Sequence, residues 1–190
     1  MYADDLIPEP MATITHGITI RAAPADVWPW LVQMGAGRAG WYSWDFIDNG
    51  GVGSARSILK DHQNIEVGQV FPAIPGAEDV FVLQALDPGK DLVLCVPSSS
   101  GGFLVSWEFM LEPLTDNVTR LLVRGRIGEA WLVDTGGQGD SDSGPILIQR
   151  IYGILAIIPR WIMLPLAGFG HRIMEVRMLR GIKRRAESLR

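Results

Sequence analysis

Between residues 69 and 127 the chain divides into five short apolar runs, 69–73, 80–86, 92–96, 103–114 and 118–127. The breaks carry turn chemistry: Pro75-Gly76, Asp87-Pro88-Gly89, residues 98–102, and Thr115-Asp116-Asn117. Breaks this short imply neighbouring antiparallel strands. Residues 13–20 add one more strand, with Ile14, His16, Ile18 and Ile20 alternating against Thr13, Thr15, Gly17 and Thr19. Parity then sorts the later runs. Val105, Trp107, Phe109 and Leu111 share one face, whereas Ser106, Glu108 and Glu112 share the other; Arg120, Arg124 and Arg126 alternate against Leu121, Val123, Gly125 and Ile127. One sheet face is apolar and aromatic and the other charged. The charged face reads as solvent-facing, with Glu108, Glu112, Arg124 and Arg126 in cross-strand ion pairs worth about 0.2–1 kcal/mol each.

An apolar sheet face needs a cover, and the C-terminal segment is long enough to supply one. Its stripe runs through Leu166, Phe169, Ile173, Val176, Leu179, Ile182, Ala186 and Leu189, at steps of three and four. Helical periodicity starts at Pro145, with interruptions expected at Pro159 and Pro165. Before the sheet runs, Pro24 opens a helix carrying Val27, Leu31 and Met34, bent or delayed at Pro29 and ended by Gly35. A second short helix or turn is expected over 41–47. Residues 24–46 hold four tryptophans and a tyrosine, which suit a core seam or the wall of a ligand cavity. Residues 134–144, DTGGQGDSDSG, contain no apolar side chain and read as a mobile loop.

With 190 residues and 47% apolar composition, one domain is the expectation. Residues 1–11 form an N-terminal extension and 145–190 a C-terminal helical segment. The net charge of −4 is uneven, since residues 171–190 hold seven Lys/Arg against two Asp/Glu. The acidic remainder argues against nucleic acid as a partner. A single cysteine, Cys95, allows no internal disulfide, and in its apolar run it reads as a buried inert thiol. The first residues show neither a basic nor an apolar signal region, so a cytoplasmic location is expected.

The element order, with AAPADVWPWLVQMGAGRAGWYSWDF, SWEFMLEPL, TRLLVRGR and MLRGIKRRAE, resembles the START-like helix-grip superfamily (SRPBCC) of polyketide cyclases, lipid-transfer proteins and birch-pollen-type allergens. The likeness covers nearly the whole chain. It is closest to a bacterial branch marked by VWPWLVQMG and GWYSWD. The resemblance implies an α+β helix-grip fold: a curved antiparallel sheet of about seven strands around a long C-terminal helix, with two short helices after the first strand and an apolar cavity between sheet and helix. It implies no transferable catalytic set. On that shape the expected cavity residues are His16, Trp41, Trp44, Trp107, Phe109, Val123, Trp131, Phe169, His171 and Ile173. For the large rings, plain core packing is the alternative.

Several motifs carry little chemistry. Residues 35–40 match G-x-G-x-x-G, but they follow a helix rather than a strand and read as a bend. Residues 140–144 are similar to part of a calcium loop, yet the glycine is one position early and Ile151 replaces the bidentate acid. His16, His62 and His171 share no ligand spacing, so neither metal nor cofactor is expected. His16 stands on the apolar face, either as a seam histidine or as an acid–base group. Glu129 is the other acid–base possibility if Gly125 and Gly128 make no bulge. Residues 146–170 are very apolar but hold Arg150 and Arg160, which argues against a span and for a lid over the cavity.

The leading reading is binding of an apolar or amphipathic small molecule in the cavity. The alternatives are a cyclase- or aromatase-like enzyme on a polyketide-like substrate, and a lipid-handling protein with weak peripheral membrane contact through residues 146–185.

Overall fold

The computed structural model describes residues 2–75, 80–99, 101–129, 131 and 160–188, with the side chains of 2 and 160–171 excepted. The elements run α1 (Tyr2–Leu6), β1 (Ala12–Ile20), α2 (Pro24–Val32), α3 (Asp45–Asp48), a 3-10 turn at Lys60–His62, β2 (Val70–Pro72), β3 (Val80–Asp87), β4 (Asp91–Pro97), β5 (Phe103–Thr115), β6 (Val118–Ile127) and α4 (Arg160–Glu187). The loop read at 134–144, and the part of the lid at 146–159, lie outside the described residues.

Six strands form one sheet in the order β1-β6-β5-β4-β3-β2, every pair antiparallel. The four hairpins from β2 to β6 follow from the short turn-rich breaks, and β1 then pairs with the free edge of β6, His16 opposite Val123. These six are the runs legible in the sequence. A seventh, implied by resemblance alone, is not among the described residues. With α4 lying against the inner face, the arrangement is an α+β helix-grip, and α2 and α3 are the two short helices after the first strand.

Parity holds on the inner face, where Leu92, Leu94, Phe109, Leu121 and Val123 are buried with Trp30 and Leu31 of α2. A bulge between Leu83 and Ala85 shifts the alternation of β3, so that Leu83 opposes Leu94 and Leu86 opposes Leu92 on that same face. Helix α2 continues through Pro29. α4 likewise starts directly after Pro159 and runs through Pro165, so the expected interruption at Pro165 does not occur. The buried residues of its described part are Glu175, Met178, Leu179, Gly181, Ile182 and Ala186, while Ile173 is 44% exposed. The apolar stripe read from sequence holds at Leu179, Ile182 and Ala186 and fails at the turn before them, where the acidic Glu175 occupies the inner face and Ile173 faces out.

The outer face corrects the solvent-facing reading. α1 lies across it, and Ala3 packs with Val93 and Cys95, flanked by Leu6, Ala85 and Phe103. Arg126 donates from Nε to Ile7 O at 3.0 Å and pairs with Asp4 at 2.6 Å; Arg124 also reaches Asp4, at 3.4 Å. The arginines thus hold the N-terminal segment, and Ser106 and Glu108 are covered completely. Burial pushes Glu108 above the usual carboxylate range, and burial together with the Glu108 charge pushes Asp91 up to about 7. The same two causes raise the Cys95 thiol to about 12, which keeps it inert.

Asp91 gives a pH prediction. Its folded pKa lies above its unfolded value of 3.8, so protonation favours the fold. That stability is present below about pH 4 and is lost as pH rises through about 7. Asp91→Asn is therefore expected to stabilise the protein relative to wild type by an amount that grows from pH 5 to pH 8, reaching about 2 kcal/mol after sharing the effect with Glu108. Urea unfolding at several pH values measures it. A difference that stays constant with pH would contradict the buried pair.

Candidate functional site

The wall of the site starts where α2 ends. Gly35 and Gly40 form an antiparallel bridge, with φ of 125° and 77°, which folds residues 35–40 into a tight loop. Arg38 reaches back to cap the helix, donating to Val32 O at 2.9 Å and Met34 O at 3.1 Å, and also to His62 O at 3.0 Å. The G-x-G-x-x-G match is thus a bend closed on the C-terminus of a helix. The buried Gln33 side chain donates to Tyr42 Oη at 2.9 Å and accepts from Leu59 N at 2.9 Å, and Tyr42 Oη donates to Trp30 O at 3.1 Å. This network fixes the 41–43 segment beneath α4. Burial raises the Tyr42 pKa far above its ordinary value, so its hydroxyl stays a neutral structural donor.

Trp41 Nε1 donates to Ala73 O at 2.9 Å, which sets the indole against Phe81 and Trp107 at centroid distances of 5.5 and 5.7 Å. Phe109 lies behind Trp107 at 4.8 Å. The residue opposite Trp107 on β6 is Gly125, so no cross-strand side chain packs on the ring from that position. Between these rings and α4 is a cavity of about 160 Å³, lined also by Ala73, Ile74, Met174 and Met178.

Three polar side chains enter this apolar space: Ser43, Asp48 and Glu175. Ser43 Oγ donates to Met174 O at 3.0 Å, tying the wall to α4. Glu175, 3% exposed, is joined to His16 of β1, with 3.0 Å between Oε1 and Nδ1. Asp48 ends α3 and is 4% exposed. Neither of its carboxylate oxygens completes a hydrogen bond of good geometry, although the Ser43 hydroxyl and nearby backbone N–H groups are close enough to oppose part of the shift. Burial, then repulsion from Asp45, pushes Asp48 up to about 6.

The expected site residues separate into groups. Trp41 and Trp107 line the cavity, and His16 borders it through Glu175. Phe109 and Val123 are wholly buried in the core behind the wall. Trp44 is 42% exposed and covered by the Arg177 guanidinium 3.9 Å above its ring, so it stands outside. Ile173 is outside for the reason of helix phase given above. Glu129 is exposed in the turn after β6 ends at Ile127, where the strand can no longer aim it inward. Trp131, half-buried, is not among the lining residues. The side chains of Phe169 and His171 lie outside the described residues.

Sequence reasoning missed the polar residues Ser43, Asp48 and Glu175 and the apolar Ala73, Ile74, Phe81, Met174 and Met178. Glu175 does carry a signal, because it stands three, four and seven positions before Met178, Leu179 and Ile182. Among the described residues no group of His, Cys, Asp and Glu is arranged to hold a metal ion. On the far side of α4 an open groove is lined by Trp44, Ile173, Val176, Arg172, Arg180 and Arg184, among others.

No family model matches the chain, and no curated protein matches it. Among solved structures it is similar to a START superfamily protein from Mycobacterium smegmatis, at 10% identity and a TM-score of 0.47 over 94% of this chain and 99% of that one. It is also similar to a polyketide-cyclase-like protein from Corynebacterium glutamicum, at 16% identity and a TM-score of 0.44 over 94% and 92%. An HSP90 activator from Plasmodium falciparum is a third, at 11% identity and a TM-score of 0.39 over 67% and 80%. The likeness is one of fold.

Proposed function

We propose that the protein binds an apolar or amphipathic small molecule in the cavity between the sheet and α4. The observation that carries this reading is a space of about 160 Å³ walled by Trp41, Phe81 and Trp107 and entered by a few fixed polar groups. Convergent rings supply contact area, while Ser43, Asp48 and Glu175 supply orientation. The cavity is close in size to one that admits a single benzene ring, about 150 Å³.

Native mass spectrometry of gently purified protein, with and without added toluene, tests it. The expected result is a non-covalent adduct of one small molecule that is lost on denaturation. Bare protein in both samples, together with no toluene-induced rise in melting temperature, would contradict it.

Two other readings have an observation each. The His16–Glu175 pair beside Asp48 could move a proton on a cyclase-like substrate. The space described is small for a folded polyketide, which favours simple binding or a substrate of about one ring. The exposed Trp44, Phe46, Ile47 and Ile173 beside the arginines of α4 suit a peripheral contact with anionic lipid. No helix among the described residues is long and apolar enough to cross a membrane.

A further inference from the structure

The geometry points to a small protonated amine with an apolar body as the ligand of this cavity, its ammonium group held by Asp48 and its body placed among Trp41, Phe81 and Trp107. This deepens the binding reading above and rests on it.

The first support is the state of the Asp48 carboxylate. It is 96% removed from solvent and lines the cavity, and neither oxygen completes a hydrogen bond of good geometry, its nearest donors being the Ser43 hydroxyl and the backbone N–H groups of Trp44 and Asp48. A buried acceptor left in that state is costly unless something arrives to satisfy it. No cation of the described chain does so. Arg177, the nearest in the sequence of the cavity-lining turns of α4, is turned outward over Trp44 and donates from Nε to Ser43 O at 2.9 Å. Glu175 is already engaged by His16, with 3.0 Å between Oε1 and Nδ1. Among the described residues no positive charge with N–H donors stands next to Asp48, and that is what a ligand would add.

An ammonium group supplies both the charge and three donors in a compact form. A neutral hydroxyl would bring one donor and leave the carboxylate charge uncompensated. The walls point the same way, because aromatic rings attract cations through their quadrupoles. Size sets the rest: about 160 Å³ holds a body near one six-membered ring.

Benzylamine, benzyl alcohol and toluene are matched probes, followed by tryptophan fluorescence or calorimetry at pH 7.5. Benzylamine is expected to bind at least about tenfold more tightly than benzyl alcohol. In Asp48→Asn the ratio of amine to alcohol affinity is expected to fall to near one. Equal binding of amine and alcohol to the wild type, or an unchanged preference in Asp48→Asn, would overturn the proposal and leave the cavity a ligand site. Failure of all three probes to bind would overturn the binding reading itself. Should Asp48→Asn not fold, the wild-type amine-to-alcohol ratio decides alone.

Discussion

Trp107→Ala is expected to cost about 3–5 kcal/mol of stability, the range for truncating a large buried ring that its surroundings cannot replace. Trp107 is 9% exposed and is packed between Trp41, Phe81 and Phe109 at centroid distances of 5.7, 5.6 and 4.8 Å. The gap does not refill, because the opposite residue on β6 is Gly125, with no side chain to move in, and Trp41 is held in place by its bond to Ala73 O. The cavity then grows by roughly the volume of an indole, and its lost contacts are not regained. Urea unfolding measures the change. A loss below about 1 kcal/mol would mean that the ring is not packed as described.

Gly181→Ala has a sign that depends on the structure. At an unconstrained helix position the exchange stabilises by about 1 kcal/mol, because alanine is the better helix former. Here a Cβ at position 181 would run into Tyr42 O and stand 2.8 Å from Tyr42 Cβ. The atom in the way is backbone, held by the Tyr42 network at φ 59°, and the Arg185 guanidinium lies 4.4 Å over the Tyr42 ring. Neither side can yield by a side-chain rotation. The substitution is therefore expected to destabilise by about 2–3 kcal/mol, as overpacking of a rigid core does. It should also weaken toluene binding, since pushing α4 off the 41–43 segment moves Ser43, Met174 and Glu175 together. A raised melting temperature for Gly181→Ala would show that α4 does not touch Tyr42 closely.

Strand order and the inner face were readable because both depend on period two and on turn residues, which are local properties. Ile14, His16, Trp107 and Val123 all stand on the face their parity assigned. The outer face was misread because parity says which residues share a side but not what covers that side. A helix as short as Tyr2–Leu6 has too few turns to show a period, so the burial of Glu108 left no trace in the pattern. Asp48 was hidden for the same reason, at the end of the four-residue α3. Glu175 was hidden differently. An apolar stripe was traced through Ile173 and Val176, whereas the helix turns a carboxylate inward to meet His16, a tertiary pairing 159 positions apart. The family shape and the convergence of large rings put Trp44 inside, but an indole also makes a good platform for an exposed guanidinium, and Arg177 uses it that way.

A crystal equilibrated under xenon tests the central claim most directly, because xenon enters preformed apolar cavities and can be located without ambiguity. The account predicts a xenon peak bounded by Trp41, Phe81, Trp107, Met174 and Met178, in the space of about 160 Å³ under α4. Side chains filling that space, with no xenon there, would contradict it.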